Sequence, residues 1–262
     1  MRLTVVGCAG SFPSAESAAS SYLVEADDGD GRTWRVVLDL GNGALGPLQR
    51  YCDPADVDLV AISHLHADHA ADLAVLGVYR RYRPTGPLAP LPVFGPAGTA
   101  ARVARMTGDD PATDVSAYLD VRSWDEGDRV DVGPLRLEPV AVAHPVPAFG
   151  IRVSGPSEAD PAHRVTLAYT GDTDACPGLD ALATGADLLL SEAGFLEGRD
   201  DAVRGVHLTG RRAGEAAATG HSRRLVLTHL PAWNDPQITF AEASAVYSGP
   251  IDLATPGAVF RL

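Results

Sequence analysis

The sequence predicts an α/β fold, and three observations carry the prediction. Short runs rich in Val, Leu and Ile recur along the whole chain, separated by Gly and Pro. Three segments of helical length lie among them. Polar side chains able to bind metal stand where the apolar runs end: His64 after "LVAIS", His144 after "PVAVA", Asp172 after "TLAYTG", Glu192 after "LLLS" and His229 after "LVLT". Sites in α/β folds are commonly built at strand ends, on loops held by a rigid sheet, so five such termini point to one place.

In order, "RLTVVG", "SYLVEA", "WRVVLDLG", "DLVAISH" and "LPVFGP" read as strands of the first half, with Glu25 to Arg32 as a polar hairpin tip. Ala67 to Tyr82 reads as one helix stopped by Pro84, and Thr99 to Met106 as a second. The second half opens with "LRLEPVAVAH" and continues through the strands "FGIRVSG", "RVTLAYTGD", "DLLLSEA" and "RLVLTHL". Between the last two, Thr209 to Thr219 is an Ala- and Arg-rich helix. Arg80, Arg81 and Arg83 close the first helix, where cations are favoured by the helix dipole, and a solvated helix end is expected there rather than a phosphate clamp.

The length of 262 residues suits one large α/β domain or two small ones. No run of about 18 apolar residues occurs, so no membrane span is expected. The opening "MRLTVVGCAG" enters a strand-like run without the features of a secretory leader. Cys8, Cys52 and Cys176 are odd in number and far apart, which argues against a disulfide framework. A cytoplasmic protein is expected. The formal net charge of −13 disfavours broad capture of nucleic acid, which needs a basic face.

"ISHLHADHAADL" concentrates the polar groups: His64, His66, Asp68 and His69 lie within a stretch that otherwise reads as core. Burying them is unfavourable unless each gains a partner. Residues two apart in extended chain point the same way, so His64 and His66 can grip one ion. Asp68 and His69 follow where the chain turns into a helix and can face a second. Imidazole and carboxylate suit zinc and similar first-row metals, manganese and iron included. His144, Asp172 and His229 supply the groups that two sites still lack. An aspartate can bridge two cations, and such a pair, about 3.5–4 Å apart, can hold a hydroxide and clamp a developing oxyanion.

The order "SHLHADH", His144, "TGDT", "LTHLP" resembles the metallo-β-lactamase superfamily over nearly the whole chain. The resemblance implies a single domain over residues 1–262, an αββα four-layer sandwich of two similar halves, roughly 1–132 and 133–262. It implies two divalent metal ions, zinc before manganese or iron: His64, His66 and His144 on one, Asp68, His69 and His229 on the other, Asp172 bridging. "GCAGSFP", "ASSYLVE" and "HLTGRRAGEAA" resemble the ribonuclease Z-like branch. There the matching histidine, His207, approaches the scissile phosphate, and Glu192 of "SEAGF" orients it; a helix-capping role is the alternative.

Transfer-RNA-processing members carry a long arm between the positions of His144 and Asp172; here only 27 residues intervene, read as a hairpin with a polar tip. With the acidic charge, this makes transfer RNA an unexpected substrate. "LDLGNGALGPLQRYCDP", "SHLHADHAADL", "YRRYRPTGP" and "LTHLPAW" are similar to actinobacterial metallo-β-lactamase-fold cyclic nucleotide phosphodiesterases. That likeness implies hydrolysis of 3′,5′-cyclic AMP or GMP, with Asp68 managing the proton of the attacking water and His207 protonating the leaving oxygen. Trp233, four residues past His229, either stacks on the base or covers the loop as a buried side chain. Alternatives are an RNA 3′-processing nuclease, a hydrolase of cyclic ribose-phosphates, lactones or sulfate esters, and last a non-enzymatic metal-binding scaffold. A homodimer is expected by analogy alone.

Overall fold

The computed structural model describes residues 1–262. The first-half strands are β1 (Arg2–Gly7), β2 (Ser21–Asp27), β3 (Thr33–Leu38), β4 (Leu59–Ala61), β5 (Leu91–Gly95) and β6 (Leu119–Ser123). Then come β7 (Val130–Val132), β8 (Leu135–Ala141), β9 (Phe149–Pro156), β10 (Arg164–Tyr169), β11 (Leu188–Glu192), β12 (Leu225–Thr228), β13 (Ile251–Leu253) and β14 (Val259–Arg261). The helices are α1 (Leu45–Leu48), α2 (Ala67–Ala70), α3 (Asp72–Arg81), α4 (Thr99–Met106), α5 (Pro177–Ala183), α6 (Gly210–Thr219) and α7 (Pro236–Ser244).

Two seven-stranded sheets result, in the orders β14-β1-β2-β3-β4-β5-β6 and β13-β12-β11-β10-β9-β8-β7. The first sheet is antiparallel from β14 to β3 and parallel from β3 to β6; the second is antiparallel from β7 to β10 and parallel from β10 to β13. Burial on both faces explains why the strands read as continuous apolar runs. Along β2, Tyr22, Val24 and Ala26 face the other sheet while Leu23 faces the helices; along β11, Leu188 and Leu190 face inward and Leu189 outward. Leu48, Leu73, Leu76 and Val103 of α1, α3 and α4 close the outer side of the first sheet. Leu179, Leu182, Ala213, Ala217 and Ala243 of α5, α6 and α7 close that of the second. This is the αββα sandwich.

Two local expectations need correction. The helix expected over Ala67 to Tyr82 is interrupted at Ala71, because the Asp72 amide donates to the Leu40 carbonyl instead of continuing the helical ladder (3.0 Å). The Leu40 amide in turn donates to the His69 carbonyl (2.8 Å), and the Asp72 carboxylate accepts from the amides of Gly43 and Leu45. The loop after β3 is thereby stitched onto the metal-ligand segment. Arg80 does not sit at a solvated helix end: it is 5% exposed, folded under the segment after α3 with its guanidinium donating to the Ala89 carbonyl. Arg81 lies over the Tyr118 ring at 4.3 Å.

Candidate metal centre

The seven expected ligands come from the C-terminal ends of strands in both sheets. His64 and His66 occupy the turn after β4, Asp68 and His69 the first turn of α2, His144 the segment after β8, Asp172 the turn after β10, and His229 the residue after β12. Gly171 lets the halves meet: at φ 57° it lies where a Cβ would come within 2.9 Å of the Ser63 Cβ. The Phe149 amide donates to the Ser63 carbonyl across the same seam (3.0 Å).

His64 Nε2 and His144 Nε2 lie 3.0 and 3.2 Å from His66 Nδ1, so three imidazole nitrogens face one point. Beside them, Asp172 Oδ1 is 3.2 Å from His69 Nε2, and Asp172 Oδ2 is 3.3 Å from His229 Nε2 and 3.7 Å from His64 Nε2. Asp68 Oδ2 lies 3.5 Å from His69 Nε2 and 3.8 Å from His229 Nε2. Asp172 thus touches both groups, as a bridging carboxylate must. The residues fit two cations on a further ground: His69 Nε2, His229 Nε2 and Asp172 Oδ1 are buried with no hydrogen-bond partner. Orphaned polar atoms of that kind are rare in proteins, and three at one point call for a positive ion.

Electrostatics agrees with the donor set at four of its five histidines; at His69 burial is outweighed by the carboxylates of Asp172 and Asp39, which raise it well above its ordinary value. Burial holds His64 well below its ordinary value, reinforced by His69, and burial likewise lowers His66, His144 and His229. Neutral imidazole is the form that ligates metal. Burial opposes ionisation of Asp172, but His229 and His69 hold it well below the usual carboxylate range.

The ligands' outer nitrogens are also held. Asp39 Oδ2 accepts from His69 Nδ1, Ser63 Oγ and Tyr169 Oη, each at 2.7 Å, while Oδ1 accepts from the Ser63 amide at 2.6 Å. Asp39 adopts φ 56°, a left-handed conformation that Asp tolerates better than most residues. Ser20 Oγ lies 3.1 Å from His229 Nδ1, and His144 Nδ1 donates to the Val206 carbonyl (2.9 Å). Such outer partners fix the tautomer and orientation of a ligating histidine. Asp39 was not singled out in the sequence; its signal is a carboxylate at the end of the apolar run "WRVVLDL".

His207 stands at the rim of this cluster. Its Nδ1 donates to Glu192 Oε1 at 2.9 Å and lies 3.8 Å from Asp172 Oδ2. Burial opposes its protonation, but the Glu192 carboxylate outweighs that and pushes His207 up to about 9. Glu192, fully buried, also accepts from the amides of Thr173 and Gly194 (2.9 Å each). The cap of α6 is Thr209, whose Oγ1 accepts from the Arg212 amide. His207 therefore does not serve as the helix cap.

A buried ion pair holds the segment that delivers His207. Arg212 donates through Nη1 to Asp174 Oδ1 (2.9 Å) and the His207 carbonyl (3.4 Å), and through Nη2 to the Asp201 carbonyl (2.7 Å). Asp174 Oδ2 accepts from the Gly205 amide (2.8 Å). Trp233 is not buried: it is 64% exposed and packs against Phe12, with ring centroids 4.8 Å apart. The three cysteines are free, and no helix is long and apolar enough to cross a membrane.

Two facing sheets with a His- and Asp-lined seam define a class, and sequence comparison gives its name. The beta-lactamase superfamily domain matches residues 34–230, and the chain belongs to that family. An uncharacterised protein of Mycobacterium leprae is 41% identical, the match covering 100% of this chain and 89% of that protein. Ribonuclease Z of Pyrobaculum calidifontis is 31% identical, covering 88% of this chain and 87% of that enzyme. The crystal structure of the metallo-β-lactamase fold protein YhfI from Bacillus subtilis has a TM-score of 0.84 at 26% identity, covering 100% of this chain and 99% of that one.

Proposed function

We propose that this protein is a dinuclear metal-dependent phosphodiesterase acting on a small phosphodiester, 3′,5′-cyclic AMP or GMP foremost. The observation that carries the proposal is the pairing of His207 with buried Glu192 beside two ligand groups bridged by Asp172. His64, His66 and His144 would hold one ion; Asp68, His69 and His229 the other; zinc is the first choice, with manganese and iron accepted by the same donors. Bound there, the ions would polarise the phosphoryl oxygens and acidify the attacking water.

This chain's residues supply the rest. Asp68, between His69 and His229, accepts a proton from the water as its oxygen bonds to phosphorus. The bond from phosphorus to the 3′ oxygen breaks, and protonated His207 passes its proton to that oxygen. Glu192 is a positioning residue: its Oε1 holds His207 Nδ1 and so fixes the ring beside the cluster.

The structure between His144 and Asp172 supports a small substrate. The intervening residues form the β9–β10 hairpin, with Ile151 to Pro156 paired against Arg164 to Tyr169. A metal-loaded sample should hydrolyse cyclic AMP or GMP to the monophosphate, with two ions per chain by elemental analysis. Efficient 3′ cleavage of precursor transfer RNA at physiological salt, without cyclic nucleotide turnover, would favour the ribonuclease Z-like alternative that the Pyrobaculum enzyme's name supports.

A further inference from the structure

We propose that Phe12 and Trp233 form a platform on which the base of a nucleotide stacks, an assignment that rests on the phosphodiesterase function proposed above. Both rings are exposed, Phe12 by 37% and Trp233 by 64%, and they contact each other with a 39° tilt. Trp233 is the most exposed of the three tryptophans: Trp124 is buried in the core, and Trp34 lies half-buried beneath Arg32.

The backbone ties both rings to the metal centre. Ala9 bridges Leu230, and the Gly10 amide donates to the Leu230 carbonyl (3.2 Å). Gly10 presses against His229 itself: a Cβ on Gly10 would lie 2.3 Å from the His229 carbonyl oxygen and 2.9 Å from its ring. Phe12 is two residues further, within about 7 Å of Gly10 by chain reach. Trp233 sits in a tight turn closed by the Asn234 amide on the Pro231 carbonyl (2.9 Å). Asn234, buried, donates through Nδ2 to the Gly194 carbonyl (3.0 Å). Gly194 in turn lies against the ring of His207. The turn bearing Trp233 is thus strapped between His229, a proposed metal ligand, and His207, the proposed acid.

Conformational strain supports a displayed ring. Ser11 holds φ 63°, unfavourable for a non-glycine residue and found where the surrounding structure imposes it. Pro13 then biases Phe12 toward extended backbone, so the backbone is restricted on both sides of Phe12. Two exposed aromatic rings in contact, tied through the backbone to the candidate metal centre, suit a flat heterocycle; stacking is tolerant of base identity because every base has a π-face.

The test uses the full-length protein with AMP as the binding probe and cyclic AMP as substrate. AMP should change tryptophan fluorescence in the wild type, and W233F should abolish most of that change. W233A and F12A should raise KM for cyclic AMP by about 5- to 100-fold, the range for losing one base–aromatic stack, with kcat changed much less. The preference for cyclic AMP over a cyclic ribose-phosphate lacking a base should fall by the same factor. Melting temperature and metal content of the variants control for folding. Absence of a Trp233-dependent signal, with KM within twofold in both variants, overturns the proposal. So does conversion of a dimer to monomers by W233A at unchanged KM, which would make the pair a contact between copies of this chain. A Trp233-dependent AMP signal in a protein that hydrolyses no cyclic nucleotide keeps the platform and discards the phosphodiesterase function.

Discussion

At the scale of single residues, His207 and Asp39 separate two kinds of contribution. If His207 is the acid, His207→Ala should leave both metals bound, since none of the seven ligands is touched. Turnover of cyclic AMP should fall by about 10²–10⁴-fold. The loss should shrink on bis(p-nitrophenyl) phosphate, whose leaving group needs no proton. Glu192→Gln should act in the same direction more mildly, removing orientation and not the acid. Unchanged turnover with a lowered melting temperature would remove His207 from the mechanism. Asp39→Asn tests the other kind: Asn tolerates the left-handed backbone, but it cannot serve as an anionic acceptor for His69, Ser63 and Tyr169 together. Metal retention against a competing chelator is expected to weaken by about 10- to 100-fold, the usual cost of losing such an outer partner. Retention equal to wild type would show that His69 is held by its ring packing alone. The contrast explains what the sequence shows. The seven expected ligands stand in one linear order at strand ends, which is visible locally. Asp39 gains its role from His69 and Tyr169, 30 and 130 residues away, and nothing local marks that.

At the scale of elements, strands were more legible than the segments that aim side chains. Continuous apolar runs mark β2 and β11, because each strand is buried on both faces and carries that signal in its own residues. The interruption at Ala71 and the burial of Arg80 arise from other segments docking, Leu40 on the one and Ala89 on the other. Local helix preference cannot register such contacts. The segment from Phe195 to His207 is a further case: Arg212 on α6 and Asp174 after β10 fix it, and it carries both His207 and the Val206 carbonyl that orients His144. Arg212→Lys keeps the charge but loses the planar fork that reaches Asp174 and the Asp201 carbonyl together. Turnover should fall by about 10- to 100-fold, as expected for a displaced reacting group, with a smaller loss of metal. Equal turnover in the lysine variant would mean that the ion pair with Asp174 alone, without the fork, sets the segment.

At the scale of the whole molecule, the sandwich was legible as alternating strands and helices, but its closure was not. The three residues of β14 belong to the first sheet because they pair with Arg2 to Thr4, and so short a run has no strand signature of its own. The metal centre is the second closure. Each proposed ion takes ligands from both halves: His64 and His66 with His144, and Asp68 and His69 with His229, Asp172 joining the two. An ion bound this way recognises only the closed sandwich, so its binding free energy adds to folding stability. With free ion at a hundred times the dissociation constant, the gain is about 2.7 kcal/mol per ion. For a chain of this size, that corresponds to a rise in melting temperature of about 5–10 °C per ion. Stripping the protein with a chelator should therefore lower both activity and melting temperature, and added zinc should restore both. His144→Ala, which leaves the bridging Asp172 as the second half's one remaining ligand to the first ion, should lose up to about half of the metal-dependent rise. If activity disappears on chelation while the melting temperature stays within about one degree, the ions do not tie the halves together, and the ligand assignment across the seam is wrong.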